Sequence, residues 1–179
     1  MDSLVKPVKQ IFLIGFMGCG KSTIGQLLAH KIGWNFIDLD DEIVRHEGLS
    51  IEQIFATHGE PYFRRLEVDL LQHLSQMDKS VIALGGGTPA QEFAWPILRD
   101  GLVIYLRCHP DELFRRLKDD NNRPMLGRVS AGERLFYIKQ LLGVREPYYL
   151  RAEIVMDSFA QHSPAETAAI ISHLIGERI

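Results

Sequence analysis

Apolar positions along the chain fall into two alternating kinds of run. Gln10-Ile11-Phe12-Leu13-Ile14 is a compact apolar block closed by Gly15. It predicts a strand buried on both faces, as in a parallel sheet. After the following glycines, Ile24, Leu27, Leu28 and Ile32 recur at helical spacing, and Gly33 ends that helix. Asn35-Phe36-Ile37-Asp38 predicts a second, short strand running into Leu39-Asp40-Asp41-Glu42. Ile43, Ile51, Ile54 and Phe55 predict short helices broken by Gly48. Pro61 suits a first helical position, and Phe63, Leu66, Leu70 and Leu74 then form a stripe at 3.6-residue spacing. Ser80–Leu84, closed by Gly85-Gly86-Gly87, predicts a third strand, Leu102–Leu106 a fourth and Ile154–Met156 a fifth. A helix after Pro110 carries Leu113, Phe114 and Leu117, and a last one runs from Ala165 to Leu174.

Strands that alternate with helices from end to end predict a three-layer α/β fold around a parallel sheet. With 179 residues, the chain is expected to form one domain over 1–179. Ligands of such sheets bind at the carboxyl ends of the strands. Here those ends carry Gly15, Asp38 and Gly85.

Composition narrows the function classes. At 46% hydrophobic and 24% charged residues the chain is no disordered segment. A net charge of −3 offers no basic field for nucleic acid. No apolar run reaches the roughly 18 residues of a membrane helix, and no secretory signal is expected, since Met1–Lys6 holds no apolar stretch long enough for one. Cys19 and Cys108 cannot form a disulfide framework. A cytoplasmic protein is expected, and a monomer, since no extra apolar stripe calls for a partner.

Gly15-Phe16-Met17-Gly18-Cys19-Gly20-Lys21-Ser22 matches G-x-x-x-x-G-K-[ST], with a strand before it and a helix after it. Glycines let the backbone wrap close to phosphates, and exposed amides at a helix N-terminus hold their charge. Lys21 can reach β- and γ-phosphates, and the Ser22 hydroxyl can hold Mg²⁺. Cys19 reads as a small residue at a variable loop position rather than as a reactive thiol.

Proteins with this loop take a further Mg²⁺ contact from an aspartate that ends another strand. The strand at Val81–Leu84 ends in glycines, so Asp38 is the candidate. Read as extended chain, Asp38 and Asp40 point the same way. One would serve the metal and the other a substrate hydroxyl.

Arginines outnumber lysines, 13 to 7. Arg suits planar anions that accept two parallel hydrogen bonds. Arg64 lies on the strongest amphipathic helix, and Glu67, three residues on, can orient it. Arg65 reads as an exposed helix residue. The polar stretch Asp119–Arg128 follows a helix without apolar periodicity and reads as a lid carrying a cationic finger, Arg123. Arg145 sits near the end of the next helix. The seven histidines show no metal-ligand spacing and read as surface or half-buried.

From about Gln10 to Leu174 the chain resembles the shikimate kinase family. The resemblance rests on the phosphate loop through Thr23, Phe36-Ile37-Asp38-Leu39-Asp40, Ile54–Glu60, Phe63-Arg64-Arg65-Leu66-Glu67, Leu84-Gly85-Gly86-Gly87, Arg123-Pro124-Met125-Leu126 and Arg145-Glu146-Pro147-Tyr148-Tyr149, in that order. It implies a nucleoside-monophosphate-kinase-like fold with a five-stranded parallel sheet, a substrate-binding segment at about 39–66 and a lid at about 118–130. It implies transfer of the ATP γ-phosphoryl group to the 3-hydroxyl of shikimate, in aromatic amino-acid (chorismate) biosynthesis. By position, Gly18, Cys19, Gly20, Lys21, Ser22 and Thr23 would hold the nucleotide phosphates, and Ser22 and Asp38 the Mg²⁺. Arg116 and Pro164 would flank adenine, and Arg123 would close over the phosphates. Asp40 would hold the ring hydroxyls, the attacking one included. Arg64, Arg145 and the backbone of Gly85, Gly86 and Gly87 would grip the substrate carboxylate, with Phe55, Phe63 and Glu67 lining or bracing that pocket. Lys21, Asp40 and Arg123 would be the catalytic groups. The chain departs from the usual family pattern at Cys19, at Thr88-Pro89 after the triple glycine, and at Met125.

Two other classes of function stay open on the residues alone. A gluconate-type or other small-molecule kinase would share the loop and the lid. The arginine pair, Asp38-Leu39-Asp40 and the triple glycine favour shikimate. A nucleotide-binding protein without turnover would leave the substrate-type arginines unexplained.

Overall fold

The computed structural model describes residues 8–118, 129–130, 132–157, 162–176 and 178–179. The apolar blocks become five strands: β1 (Gln10–Ile14), β2 (Asn35–Asp38), β3 (Ser80–Ala83), β4 (Leu102–Arg107) and β5 (Ile154–Asp157). All pair in parallel, in the order β2-β3-β1-β4-β5. Burial follows position in the sheet. β1 and β3 are buried at every residue, and β4 at every residue but its last, Arg107. The edge strands β2 and β5 are only partly covered. Continuous apolar runs therefore mark the centre of the sheet, where helices cover both faces.

Among the described residues eight α-helices flank the strands: α1 (Lys21–Ile32), α2 (Leu39–Glu47), α3 (Ile51–Thr57), α4 (Glu60–Leu74), α5 (Trp95–Leu98), α6 (Pro110–Leu117), α7 (Arg134–Tyr149) and α8 (Pro164–Ile175). α1 packs on α8, α6 on α7 and α2 on α4. Gly33 closes α1 in the left-handed conformation, as its sequence position predicts. Among the described residues no helix is long and apolar enough to cross a membrane.

The strand order positions the site. Because β1 lies between β3 and β4, the segments after β1 and β3 leave the same edge side by side. The Leu84 amide still donates to the Leu13 carbonyl at 3.0 Å beyond the last pair of the ladder. β2 pairs with β3 on its other side, with Asp38 opposite Ala83. Gly15, Asp38 and Gly85 thus meet at one carboxyl edge, as the sequence predicts.

Three features differ from expectation. The buried face of α4 comprises Phe63, Leu66, Glu67, Leu71 and Leu74, with Leu70 only partly covered, so a carboxylate stands in the apolar stripe. Asp40 is helical rather than extended, because Asp38 caps α2: its Oδ1 accepts the Asp40 amide at 3.1 Å. The segment after the triple glycine folds into two short 3₁₀ turns, Thr88–Ala90 and Glu92–Ala94, followed by α5. These elements, of three, three and four residues, are too short to show a period, and no helix is legible there in the sequence.

Candidate active site

The turn after β1 opens onto a cavity of about 530 Å³. Gly20, at φ 99°, caps α1 in a conformation that L side chains rarely adopt, which explains a glycine immediately before Lys21. The turn delivers Lys21, Ser22 and Thr23 on the first turn of α1, and all three line the cavity with Gly18 and Gly20. The first-turn amides of a helix have no partner inside it and form its positive end. The Lys21 ammonium donates to the carbonyls of Gly15 at 2.9 Å and Phe16 at 3.1 Å, which holds it at the mouth of the loop.

Cys19 differs from its neighbours. Its side chain is buried in the core and does not line the cavity, and its amide donates back to the Phe16 carbonyl at 3.2 Å. Burial supports reading it as a packing residue of the loop rather than as an accessible thiol.

Asp38 and Asp40 reach the cavity from the end of β2 and the first turn of α2. The Ser22 hydroxyl donates to Asp38 Oδ2 at 2.6 Å, so the two predicted metal ligands are in contact. Asp41 lines the same wall, and its carboxyl is raised above the usual carboxylate range by burial and by the Asp38 charge beside it. Among the described residues, no group of three or more His, Cys, Asp or Glu could hold a metal ion by itself.

Arg116 and Pro164 line the cavity from the last turn of α6 and the first residue of α8. Glu112 accepts Arg116 Nε at 2.6 Å, and Arg116 Nη1 donates to the Gly18 carbonyl at 3.1 Å. Hydrogen bonds from Arg115 and Arg116 hold the Glu112 carboxyl at about 2, well below its usual value.

The triple glycine is the hub of the other half. A Cβ on Gly85 would stand 2.9 Å from Asp40 Oδ1 and 3.0 Å from Glu67 Oε1. One on Gly86 would stand 3.4 Å from Arg145 Nη1, and one on Gly87 would lie 2.6 Å from Arg64 Nη1. Each glycine thus yields its side-chain space to one predicted substrate-binding residue. The requirement is close approach, since none of the three has positive φ.

Arg64 is 15% exposed in its side chain. It donates through Nε and Nη2 to Glu60 Oε1, and through Nη1 to Glu67 Oε2 at 2.5 Å. A guanidinium has five N–H donors, so each terminal nitrogen keeps one, a fork that fits a carboxylate. Arg65, as expected, is exposed, over the Tyr62 ring. Arg145 is 6% exposed and lies over the Phe16 ring, with its charge bearing on the Tyr149 hydroxyl. That hydroxyl donates to the Gly86 carbonyl at 2.5 Å. Burial, the largest cause, pushes the Tyr149 phenol up, so it stays a donor. The Phe55 and Phe63 rings meet at a tilt, their centroids 4.8 Å apart.

Of the predicted site residues, those of the phosphate loop, Asp38, Asp40, Gly85, Gly86, Arg116 and Pro164 share the cavity, except Cys19. Arg64, Gly87 and Arg145 adjoin its floor. Arg123 and the predicted lid lie outside the described residues, apart from Lys118, Val129 and Ser130. All seven histidines are exposed. Sequence reasoning missed Thr88 and Tyr149 as supports of the site. A lone Thr after three glycines carries no motif, and Tyr149 stood only inside a matched segment.

A family model for shikimate kinase matches residues 17–175. A shikimate kinase of Geobacter metallireducens is 39% identical over 170 residues, covering 94% of this chain and 93% of its own length. One of Chloroherpeton thalassium is 44% identical over 158 residues, covering 84% of each. Among solved structures, the shikimate kinase of Acinetobacter baumannii in complex with shikimate superposes with a TM-score of 0.88, at 32% identity and over 96% of both chains. With the five-stranded parallel sheet and the phosphate loop already in place, these matches settle the lineage: the chain belongs to the shikimate kinase family of ATP-dependent kinases.

Proposed function

We propose that this cavity transfers the γ-phosphoryl group of Mg·ATP to the 3-hydroxyl of shikimate, with Asp40, Arg64 and Arg145 as the acceptor side. The observation that carries the assignment is the triple-glycine floor. It sets one carboxylate and two guanidinium groups, from three different helices, around three consecutive residues. Shikimate presents the complementary pattern, a carboxylate at one end and hydroxyls at the other. Arg64 and Arg145 suit the carboxylate, and Asp40 accepts from the hydroxyls.

On the donor side, the amides of the loop and of the first turn of α1 bind the phosphates. Lys21 stabilises the charge that grows on the transferring group. Arg116 and Pro164 hold the adenine end, with Arg116 tied to the loop carbonyl of Gly18. The Mg²⁺ site fits the donor set. Mg²⁺ keeps several waters and takes one or two protein oxygens beside those of the phosphates, and the Ser22 and Asp38 oxygens already stand 2.6 Å apart. Bound there, the ion neutralises phosphate charge.

Phosphoryl transfer passes through a loose transition state and needs little covalent chemistry. Most of the acceleration then comes from holding the hydroxyl in line and from stabilising charge. Asp40 orients the attacking hydroxyl and takes up its proton as the new bond forms. By the family resemblance we assign Arg123, which lies outside the described residues, to the phosphates as well. We place the enzyme in the cytoplasm as a monomer.

The test is the position of the new phosphate. Shikimate incubated with the protein and Mg·ATP is expected to give a product whose phosphorus couples to the proton on ring carbon 3. A phosphate on another hydroxyl would break the assignment of Asp40.

A further inference from the structure

We infer that Thr88 is a positioning residue for substrate binding, acting on Arg64 through Glu67. The inference rests on the acceptor-side reading above.

Glu67 is 1% exposed and stands in the apolar face of α4. A buried carboxylate is tolerated only where both its oxygens find donors. Oε2 accepts from Arg64 at 2.5 Å. Oε1 accepts from the Thr88 hydroxyl, also at 2.5 Å, from a residue that is 0% exposed. Thr88 is itself fixed, because its amide donates to the Gly85 carbonyl at 3.1 Å at the start of the 3₁₀ turn.

The surroundings are tight. A Cβ on Gly85 would meet Glu67 Oε1 at 3.0 Å and Thr88 Oγ1 at 3.3 Å. Thr88, Glu67 and Arg64 therefore form a chain of charge-assisted hydrogen bonds running from the triple-glycine segment to the guanidinium beside Gly87. Hydrogen bonds in such chains polarise one another. With one oxygen fixed by Thr88, the carboxylate presents the other to Arg64 in one orientation. Arg64 then meets the substrate with its fork already aimed, and the ordering cost of a long side chain is not charged to binding. Without the hydroxyl, Glu67 turns to seek another donor and Arg64 loses its fixed partner.

The test is steady-state kinetics of T88V, which keeps the shape and removes the donor, beside T88S, which keeps the donor. T88V is expected to raise the KM for shikimate by roughly three- to tenfold, the net worth of an ordinary hydrogen bond, since the loss reaches the substrate only through Glu67 and Arg64. The KM for ATP should stay within about twofold, and T88S should restore the KM for shikimate. If T88V does not fold, T88A is read in the same way against T88S. A double-mutant cycle with E67Q separates positioning from packing: in the E67Q background T88V should add little to the KM for shikimate. An unchanged KM for shikimate in T88V would overturn the inference, as would equal rises for both substrates or additive effects with E67Q. Wild-type protein without turnover on shikimate would instead overturn the acceptor-side reading on which it rests.

Discussion

The two halves of the cavity are built on opposite plans. The phosphate side is local and exposed. One stretch, Gly15–Thr23, supplies the backbone, the ammonium and the hydroxyl, and Ser22 and Thr23 are solvent-exposed. The proposed acceptor side is assembled and buried. Asp40 comes from α2, Arg64 from α4, Arg145 from α7, and their meeting place is the segment after β3. Its groups are braced before any substrate arrives: Arg64 by Glu67 and Glu60, Glu67 by Thr88, and the Gly86 carbonyl, beside Arg145, by the Tyr149 hydroxyl. The contrast follows from the ligands. A polyphosphate carries charge enough to be held by amides and one lysine. A small hydroxy acid is recognised only by groups whose directions are fixed, and fixing them takes buried partners.

Substitutions on the two sides should therefore fail differently. The largest effect is expected for K21A. It should lower kcat by at least about 10²–10³, the range lost with one charge-stabilising group in a transition state, while the folded spectrum is kept. Near-normal turnover would remove Lys21 from the chemistry. R145A comes next. It should raise the KM for shikimate about 10- to 100-fold, at about 1.4 kcal/mol per factor of ten, with a smaller effect on kcat. A fall in kcat at unchanged KM would place Arg145 on the wrong side of the division.

Y149F addresses the bracing itself. It leaves the Gly86 carbonyl without the donor it has now, at a cost of about 1–3 kcal/mol for a buried unsatisfied group. Thermal unfolding should drop by a few degrees, and the KM for shikimate should rise while that for ATP does not. A variant as stable as the wild type, with both constants unchanged, would show that the brace is ornamental.

E112Q should have the smallest effect, because the Glu112–Arg116 pair lies at the rim of the cavity and is only partly buried, each side chain about a quarter exposed. The Glu112 carboxyl is depressed to about 2 from its ordinary 4.5. The stabilisation from its pairing is therefore complete above about pH 4.5 and is lost as pH falls through about 2. At neutral pH the pair is intact, and E112Q should raise the KM for ATP by about twofold, an effect that fades in high salt. A tenfold rise would mean that Arg116 depends on Glu112 far more than its exposure suggests.

The same division explains what could be read from the sequence. Strand positions were legible because buried parallel strands are continuous apolar runs, and Gln10–Ile14 is found as a strand with those bounds. The phosphate loop was legible because its geometry is local. Arg64 and Glu67 were legible as a pair, since i and i+3 meet on any helix, but not the depth of Glu67, because a carboxylate in an apolar stripe looks like the polar edge of a helix. Asp38 and Asp40 reach the cavity as anticipated, by a different route: the Asp38 side chain starts a helix where extended chain was expected. Thr88 and Tyr149 were silent as supports. Thr88 acts on Glu67, 21 residues away on α4, and Tyr149 on Gly86, 63 residues away, and no local pattern encodes either contact. Arg64 and Arg145 could be joined into one site before the fold was known only through family resemblance.

The most direct test of the division is ADP release from Mg·ATP by the purified protein, with shikimate, gluconate and nucleoside monophosphates supplied side by side. Rapid release with shikimate alone is the result expected if Asp40, Arg64 and Arg145 form the acceptor side. Release with gluconate or a nucleoside monophosphate, and none with shikimate, would leave the phosphate side standing and contradict the reading of the acceptor side.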